Sequence, residues 1–223
     1  PDSILHIKGG ANWRPILKIE NTSTGNESGI IQFHKVASDS SEADNDYLGG
    51  IDFYGINDNN DSHRFAYMYG ISTDVSDGDE DGRIDFMTAK AGTDTVTMTL
   101  SSGLVGIGTT SPASHLHIFS DAGGVDTILE VECNATNASA MLHLDSAADR
   151  DSGVYFQENG SFKGGMFNDA SNDATVIMDG SNSNLMYLKG DKLGIGSDNP
   201  ESILHIREGS SGGVGARLTL DNE

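Results

Sequence analysis

The chain has 223 residues, with 34 acidic and 13 basic side chains, a formal net charge of −21, 28 glycines and one cysteine. This charge disfavours nucleic acid as a partner because the phosphate backbone would be repelled, and one cysteine excludes an intrachain disulfide or a CxxC metal site. No apolar run reaches the ~18–20 residues that a membrane helix needs, so we expect no membrane insertion. With 36% hydrophobic residues, a monomer would bury only a thin core.

A seven-residue repeat opens the chain and returns twice. It reads PDSILHI at 1–7, PASHLHI at 112–118 and PESILHI at 200–206. Its flanks repeat as well, with PILKIEN at 15–21, TILEVEC at 127–133, ARLTLDN at 216–222, LVGIGTTSP at 104–112 and KLGIGSDNP at 192–200. Such self-similarity is typical of repeat architectures. We therefore predict repeat unit 1 at 1–111, a shorter unit 2 at 112–199 and the start of unit 3 at 200–223. The chain starts and stops inside this pattern, as a part of a longer polypeptide would.

Short strands are predicted within each unit. Apolar and polar residues alternate with period two at 5–7, 17–20, 84–87 and 95–100, which is the pattern of a half-buried strand. Turn-like clusters separate these segments at 57–62, 73–82, 158–160 and 189–191. No segment shows a helical period over three turns. The sequence thus predicts an all-β, elongated and repetitive structure with little or no helix.

A GIG motif precedes the second and third copies of the repeat. Gly106 and Gly108 bracket Ile107, and Gly194 and Gly196 bracket the equivalent isoleucine. Glycine permits a positive φ or a close approach of two backbone segments, and a following proline restricts how the next strand begins. We interpret the motif as a corner between strands. It is not a phosphate-binding loop, because neither GxGxxG nor GxxxxGK[ST] is present and no helix follows.

The stretches 105–118 (VGIGTTSPASHLHI) and 193–206 (LGIGSDNPESILHI) resemble a motif of bacteriophage tail-fibre and virion-appendage proteins. Residues 51–99 resemble the same family through IDFYG, RFAYMYG and GRIDF. The resemblance implies an intertwined homotrimeric β-fibre on the virion exterior. Its shaft would position a distal element that binds the host receptor, and its partners would be copies of itself and other virion or fibre proteins.

Two other functions are weighed against this one. Related segments occur in bacterial surface proteins, so a repeat of a cell-surface adhesin or extracellular filament is the alternative. Some tail spikes degrade polysaccharide with paired carboxylates, but no pair stands out among 34 acidic residues that concentrate in turns. We therefore expect no enzyme activity in this segment and no required cofactor.

Two candidate cation sites are considered. The acidic turn DGDEDGRID resembles the first nine positions of a calcium loop, in which carboxylates at alternating positions converge on one cation. Its candidate ligands are Asp77, Asp79, Asp81 and Asp85. The twelfth position is Thr88 rather than glutamate, so the alternative is a solvated acidic turn.

The second candidate is His115 with His117, which fall on one face of a strand because side chains alternate. The family resemblance implies that three copies could hold an iron ion there. The alternative is plain packing, in which the recurring His6, His117 and His205 are structural and bonded to backbone. Cys133 follows an alternating apolar segment, so a buried free thiol is expected there.

Overall fold

The computed structural model describes residues 5–10, 15–26, 28–36, 42–121, 126–134, 136–181 and 184–207. Within these ranges the chain forms twelve β-strands and no helix, which confirms the all-β prediction. It divides into two compact units, Pro1–Glu130 and Val131–Glu223, and each unit contains one six-stranded sheet. No helix among the described residues has the length and apolar character required to cross a bilayer.

The first sheet follows chain order. Its strands are β1 (Asp46–Ile56), β2 (Ser62–Asp74), β3 (Asp81–Lys90), β4 (Thr93–Ser101), β5 (Leu104–Ile107) and β6 (Leu116–Ile118). Strands β1 to β5 pair antiparallel, whereas β6 lies parallel to β5. The segment between β5 and β6, residues 108–115, is called the first corner below.

The second sheet has the same topology. Its strands are β7 (Ser152–Glu158), β8 (Ser161–Asp169), β9 (Ala174–Asp179), β10 (Asn184–Lys189), β11 (Lys192–Ile195) and β12 (Leu204–Ile206). Strands β7 to β11 pair antiparallel and β12 lies parallel to β11. Residues 196–203 form the second corner. The two repeat limits drawn from the sequence, at 111/112 and 199/200, thus fall inside the two corners.

Tight two-residue turns join several of the antiparallel strand pairs. Three hairpins have two-residue loops, Ala91–Gly92, Ser102–Gly103 and Asn159–Gly160, in which both residues have positive φ. That is the type I′ geometry whose twist matches the twist of paired strands. The turn-like clusters predicted at 57–62, 73–82, 158–160 and 189–191 all lie at strand junctions, as expected.

One face of each sheet carries an unbroken row of apolar side chains, one from each strand. In register, the rows are Ile51, Met68, Phe86, Met98, Ile107 and Ile118 in the first sheet and Val154, Met166, Ile177, Met186, Ile195 and Ile206 in the second. Methionine occupies the second and fourth strands in both. This face is called the Ile/Met face.

The opposite face of each sheet, called the aromatic face, holds the buried side chains. In the first sheet these include Tyr67, Ile71, Asp85 and Thr99, and in the second they are Ala174, Val176 and Tyr187. The corner supplies cover for this face. A Cβ added at Gly194, which pairs with Tyr187, would lie 2.1 Å from the carbonyl oxygen of Ser197 in the corner, and Ser197 itself is buried.

Candidate assembly surface

The Ile/Met face of the first sheet is partly open to solvent in a single chain. Ile51 is 40% exposed. Leu116, which lies two residues before Ile118 and on the same face, is 56% exposed. The remaining row members are half-buried, and none of the six is fully buried. A row of six apolar side chains that stays in contact with water is unfavourable and is typical of interaction surfaces.

The second sheet repeats this surface. Met166 is 50% exposed and Ile195 is 38% exposed. A second apolar line runs beside the row on the last three strands of both sheets: Leu100, Val105 and Leu116 in the first, and Leu188, Leu193 and Leu204 in the second. Neither the rows nor these lines contain a charged residue, although the chain carries 34 acids.

The predicted strands near residues 5–7 and 17–20 are wrong for a single chain. Residues 15–20 and the corresponding 126–133 are described, but they form no strand. Their apolar side chains are largely exposed, as in Ile16 at 70% and Ile128 at 72%. Alternation describes a face to be buried, but a strand also needs a neighbouring strand to accept its hydrogen bonds. Within one chain no described segment pairs with these residues.

The two corners have the same backbone geometry. Gly108 and Gly196 have φ of 73° and 67°, and a Cβ at either would lie 2.3 Å from a main-chain carbonyl oxygen, that of Phe119 or Arg207. Gly108 N–H donates to Thr97 O and Gly196 N–H to Leu185 O, each at 3.1 Å. The acceptors are the bulged residues of β4 and β10. The glycine role predicted from the sequence is confirmed.

The recurring histidine stabilises each corner from within. Nδ1 of His117 accepts the backbone N–H of Ala113, and Nδ1 of His205 accepts that of Glu201, both at 3.3 Å. The preceding serines also match: Ser114 and Ser202 hydroxyls donate to the carbonyls of Leu116 and Leu204. The expected backbone bond of the histidine is therefore confirmed for these two copies. For His6 the equivalent donor would be Asp2, which lies outside the described residues, as does Ser3.

The candidate iron ligands occupy different environments. His115 is exposed at the end of the first corner, while His117 is half-buried and its ring contacts Phe119 edge-on at 5.8 Å. His117 already uses Nδ1 in the corner, so only Nε2 would be available to a cation. Across the described part of the chain, no group of three or more His, Cys, Asp or Glu side chains is placed to hold a metal ion.

The candidate calcium ligands are split between the β2–β3 turn and the sheet. Asp77 and Asp79 are exposed in the turn, and Asp81 begins β3. Asp85 lies buried on the aromatic face, 4% exposed, where it accepts the Thr99 hydroxyl at 2.8 Å and Arg83 Nε at 3.1 Å. The carboxylate of Asp85 thus has partners that belong to the sheet.

Cys133 corrects a further expectation. The thiol is free, but it is exposed rather than buried. The alternating apolar residues before Cys133 indicate a face to be buried, but in one chain the described part of that segment has no strand partner. The exposure of Cys133 therefore has the same cause as the missing strand.

Sequence reasoning missed a cluster around Arg64 on the aromatic face of the first sheet. The Arg64 guanidinium lies 3.7 Å from the centroid of the Tyr67 ring, and it donates to Tyr69 Oη and to Asp94 at 2.7 Å each. The hydrogen bond from Arg64 lowers the pKa of Asp94. The i, i+2 spacing of Tyr67 and Tyr69 indicates a shared face, but Asp94 is 30 residues from Arg64 and only the sheet register brings it close.

A second missed cluster lies at the end of β8. Asp169 accepts hydrogen bonds from the hydroxyls of Ser171 and Tyr187 and from Asn172. These bonds hold the pKa of Asp169 well below its ordinary value. Burial, and then the bond to Asp169, raise the pKa of Tyr187 to about 12. The cluster fixes the β8–β9 turn against the core of the second sheet.

No protein-family model matches this sequence, and no curated protein matches it at a significant level. Among solved structures, the chain is similar to the carboxy-terminal domain of the bacteriophage T5 L-shaped tail fibre, with a TM-score of 0.55 and 17% sequence identity. The alignment covers 94% of this chain and 98% of that chain. At this level of identity the likeness shows the fold: the chain has an all-β fold like that of a tail-fibre domain.

Proposed function

We propose that this chain is a structural segment of a homotrimeric β-fibre on the virion exterior, a tail fibre or appendage. Its role is to hold a distal element, which binds the host receptor, away from the particle. The observation that carries the proposal is the uncharged Ile/Met face, which recurs in both sheets at the same register and lies uncovered in one chain. The fold shared with a tail-fibre domain over nearly the whole chain supports it.

Copies of this chain are the partner that best fits the Ile/Met face. The same row appears twice, so one kind of apolar surface would cover both, and a copy of the chain presents such a surface. The unpaired segments 15–20 and 126–133 likewise need strand neighbours. Acidic residues at the turns would face solvent and keep the assembly soluble. Three copies, rather than two, follow from the family resemblance of the GIG motif.

The proposed role is mechanical and not catalytic. Carboxylates that lie among other functional groups have structural partners: Asp85 bonds Thr99, Asp94 bonds Arg64, and Asp169 bonds Tyr187. A catalytic pair would need a carboxylate whose lone pairs face a substrate. The fold match to a fibre domain agrees with this assignment.

The two candidate cation sites are a separate part of this proposal and need their own test. An iron site at His115 and His117 requires the rings of several copies, and a calcium site requires Asp77, Asp79 and Asp81 to converge without Asp85. Because each corner is already fixed by main-chain bonds, we expect assembly to need no metal. Dialysis against EDTA, followed by a melting scan, should leave Tm unchanged. A fall in Tm that iron or calcium alone restores would assign the corresponding site.

Light scattering of the intact chain tests the assembly. The expected mass is about 70 kDa, three times the 23.5 kDa of one chain. Met166→Asp places a charge in the Ile/Met row at a position that is 50% exposed in one chain, so it should release folded single chains. Ser161→Asp introduces the same charge at an exposed position of the same strand and should leave the mass unaltered. A folded wild-type monomer would contradict the proposal.

A further inference from the structure

The aromatic face of the second sheet contains an open groove beside Tyr155. The Tyr155 ring stacks on Phe167, with centroids 6.1 Å apart and planes inclined by 26°, and meets Phe162 edge-on at 5.6 Å. The ring is nevertheless part of a residue that is 62% exposed. The groove has a volume of roughly 730 Å³, and Asp151, Gln157 and Ser181 also line it. Its size is within the range of ligand sites.

The equivalent region of the first sheet has charged side chains in place of two of the aromatic rings. By register, Asp52 takes the place of Tyr155, and Arg64 takes the place of Phe162. There Arg64 covers the Tyr67 ring and bonds Tyr69 and Asp94. In the described part of the second sheet no cation lies over an aromatic ring. Two rings therefore support the Tyr155 ring, whose outer surface remains open.

We propose that the groove beside Tyr155 binds a neutral saccharide. A pyranose ring has a face of C–H groups that packs on an aromatic ring, and hydroxyls at its edge that need donors and acceptors. Tyr155 supplies the flat apolar surface, backed by Phe167 and Phe162. Gln157 supplies a donor and an acceptor. Asp151 accepts the Ala170 N–H and the Ser181 hydroxyl donates to Asp179, so these two residues offer acceptor lone pairs. This combination of an apolar platform with a few polar groups is typical of a small-molecule site.

Charge selects the class of saccharide. The chain carries a formal charge of −21, and Asp151 lines the groove, so a uronic or sialic acid would be repelled. A neutral sugar has no such penalty. The inference rests on the proposed function only in taking the Ile/Met face, and not the aromatic face, as the one that other copies cover.

The test is a titration of the intact chain with maltohexaose, chitohexaose and, as the acidic probe, a galacturonic acid hexamer, followed by saturation-transfer NMR. At least one neutral probe should bind with a Kd on the order of 1 mM, and the acidic hexamer should not bind. Tyr155→Ala should weaken binding by about tenfold or more, as expected for loss of about 1.4 kcal/mol of contact. Tyr155→Phe keeps the platform and should stay close to the wild type. Tyr47→Ala is the matched control, because Tyr47 of the first sheet is 62% exposed like Tyr155, and it should leave binding unchanged.

Three results would overturn the saccharide site: no neutral probe bound at about 10 mM, ten times the expected Kd, equal binding by Tyr155→Ala, or a lower mass of Tyr155→Ala in light scattering. The last would make the groove a contact between copies. A monomeric wild type that binds a neutral probe through Tyr155 would overturn the trimer but leave the saccharide site standing, so the two failures are distinguishable.

Discussion

The two sheets are built on one plan and differ in the middle of their aromatic faces. In register, the first sheet reads Gly50, Tyr69, Asp85, Thr99, Gly106 and His117, and the second reads Gly153, Phe167, Val176, Tyr187, Gly194 and His205. The outer positions keep their type: glycine, aromatic, glycine, histidine. The two central positions change from a polar pair to a valine and a tyrosine.

Both solutions satisfy their buried polar groups. The Asp85 carboxylate accepts from Thr99 and Arg83, and the Tyr187 hydroxyl, at the edge of the apolar core, donates to Asp169. The centre of the face therefore requires filled volume and satisfied hydrogen bonds, but no particular chemistry. The outer glycines are constrained by close packing against the neighbouring strand: a Cβ at Gly50 would lie 2.1 Å from the Tyr69 ring, and one at Gly153 would lie 2.2 Å from the Cβ of Phe167.

Gly196→Ala is expected to have the largest effect, because it changes the corner geometry that both sheets share. The new Cβ would lie 2.3 Å from the carbonyl oxygen of Arg207 in a residue whose φ is 67°, so the corner must open. We expect a loss of about 3 kcal/mol or more in the free energy of unfolding. Gly190→Ala is the control, because its φ is 59° but nothing lies within 4 Å; it should lose only the ~1–2 kcal/mol of a left-handed alanine. Urea unfolding at fixed protein concentration gives both values, and equal losses would contradict the role of the corner.

Asp85→Ala should have the next largest effect, because it removes the buried polar pair of Asp85 and Thr99 that only the first sheet has. It leaves the Thr99 hydroxyl and the Arg83 guanidinium without their buried acceptor, at a cost of about 2–4 kcal/mol. Replacing both members, Asp85→Val with Thr99→Val, imitates the apolar centre of the second sheet and should recover about half of the loss. The same urea measurement applies. A double variant less stable than the single one would show that the two centres are not interchangeable.

Asp169→Asn should have the smallest effect and one that depends on pH. Hydrogen bonds from Ser171, Tyr187 and Asn172 lower the pKa of Asp169 in the folded chain. The stabilisation is thus complete above the unfolded pKa of about 3.9 and is lost as the pH falls through the folded value. Wild-type Tm should therefore drop below about pH 4, while Asp169→Asn starts lower at neutral pH and drops less. Asp191→Asn, in an exposed turn, should follow the wild type; equal acid sensitivity of Asp169→Asn would refute the linkage.

Much of the sheet was predictable because strands with one half-buried side leave a period-two pattern. Residues 95–100 alternate, and they lie within β4; the acidic and glycine-rich clusters fall at turns for the same reason. Residues 17–20 alternate equally well yet form no strand, since pairing depends on a neighbour that the pattern does not specify. The Arg64 cluster and the groove beside Tyr155 were not predictable either. Their members come from different strands, and a register shift of one residue would move each to the other face.

The main-chain character of the corner bears on how such proteins diversify. Residues 109–115 and 197–203 share only Pro112 with Pro200 and Ser114 with Ser202, yet their main-chain, histidine and serine hydrogen bonds correspond. The first corner adds one bond, from Ser111 N–H to the Thr109 hydroxyl. The bonds that fix this junction do not depend on most of its side chains, so the junction is a suitable point for recombination. Units of different length, with different grooves, can be exchanged there without redesign of the sheets on either side, and the 111- and 88-residue spacings of the repeat are what such exchange produces.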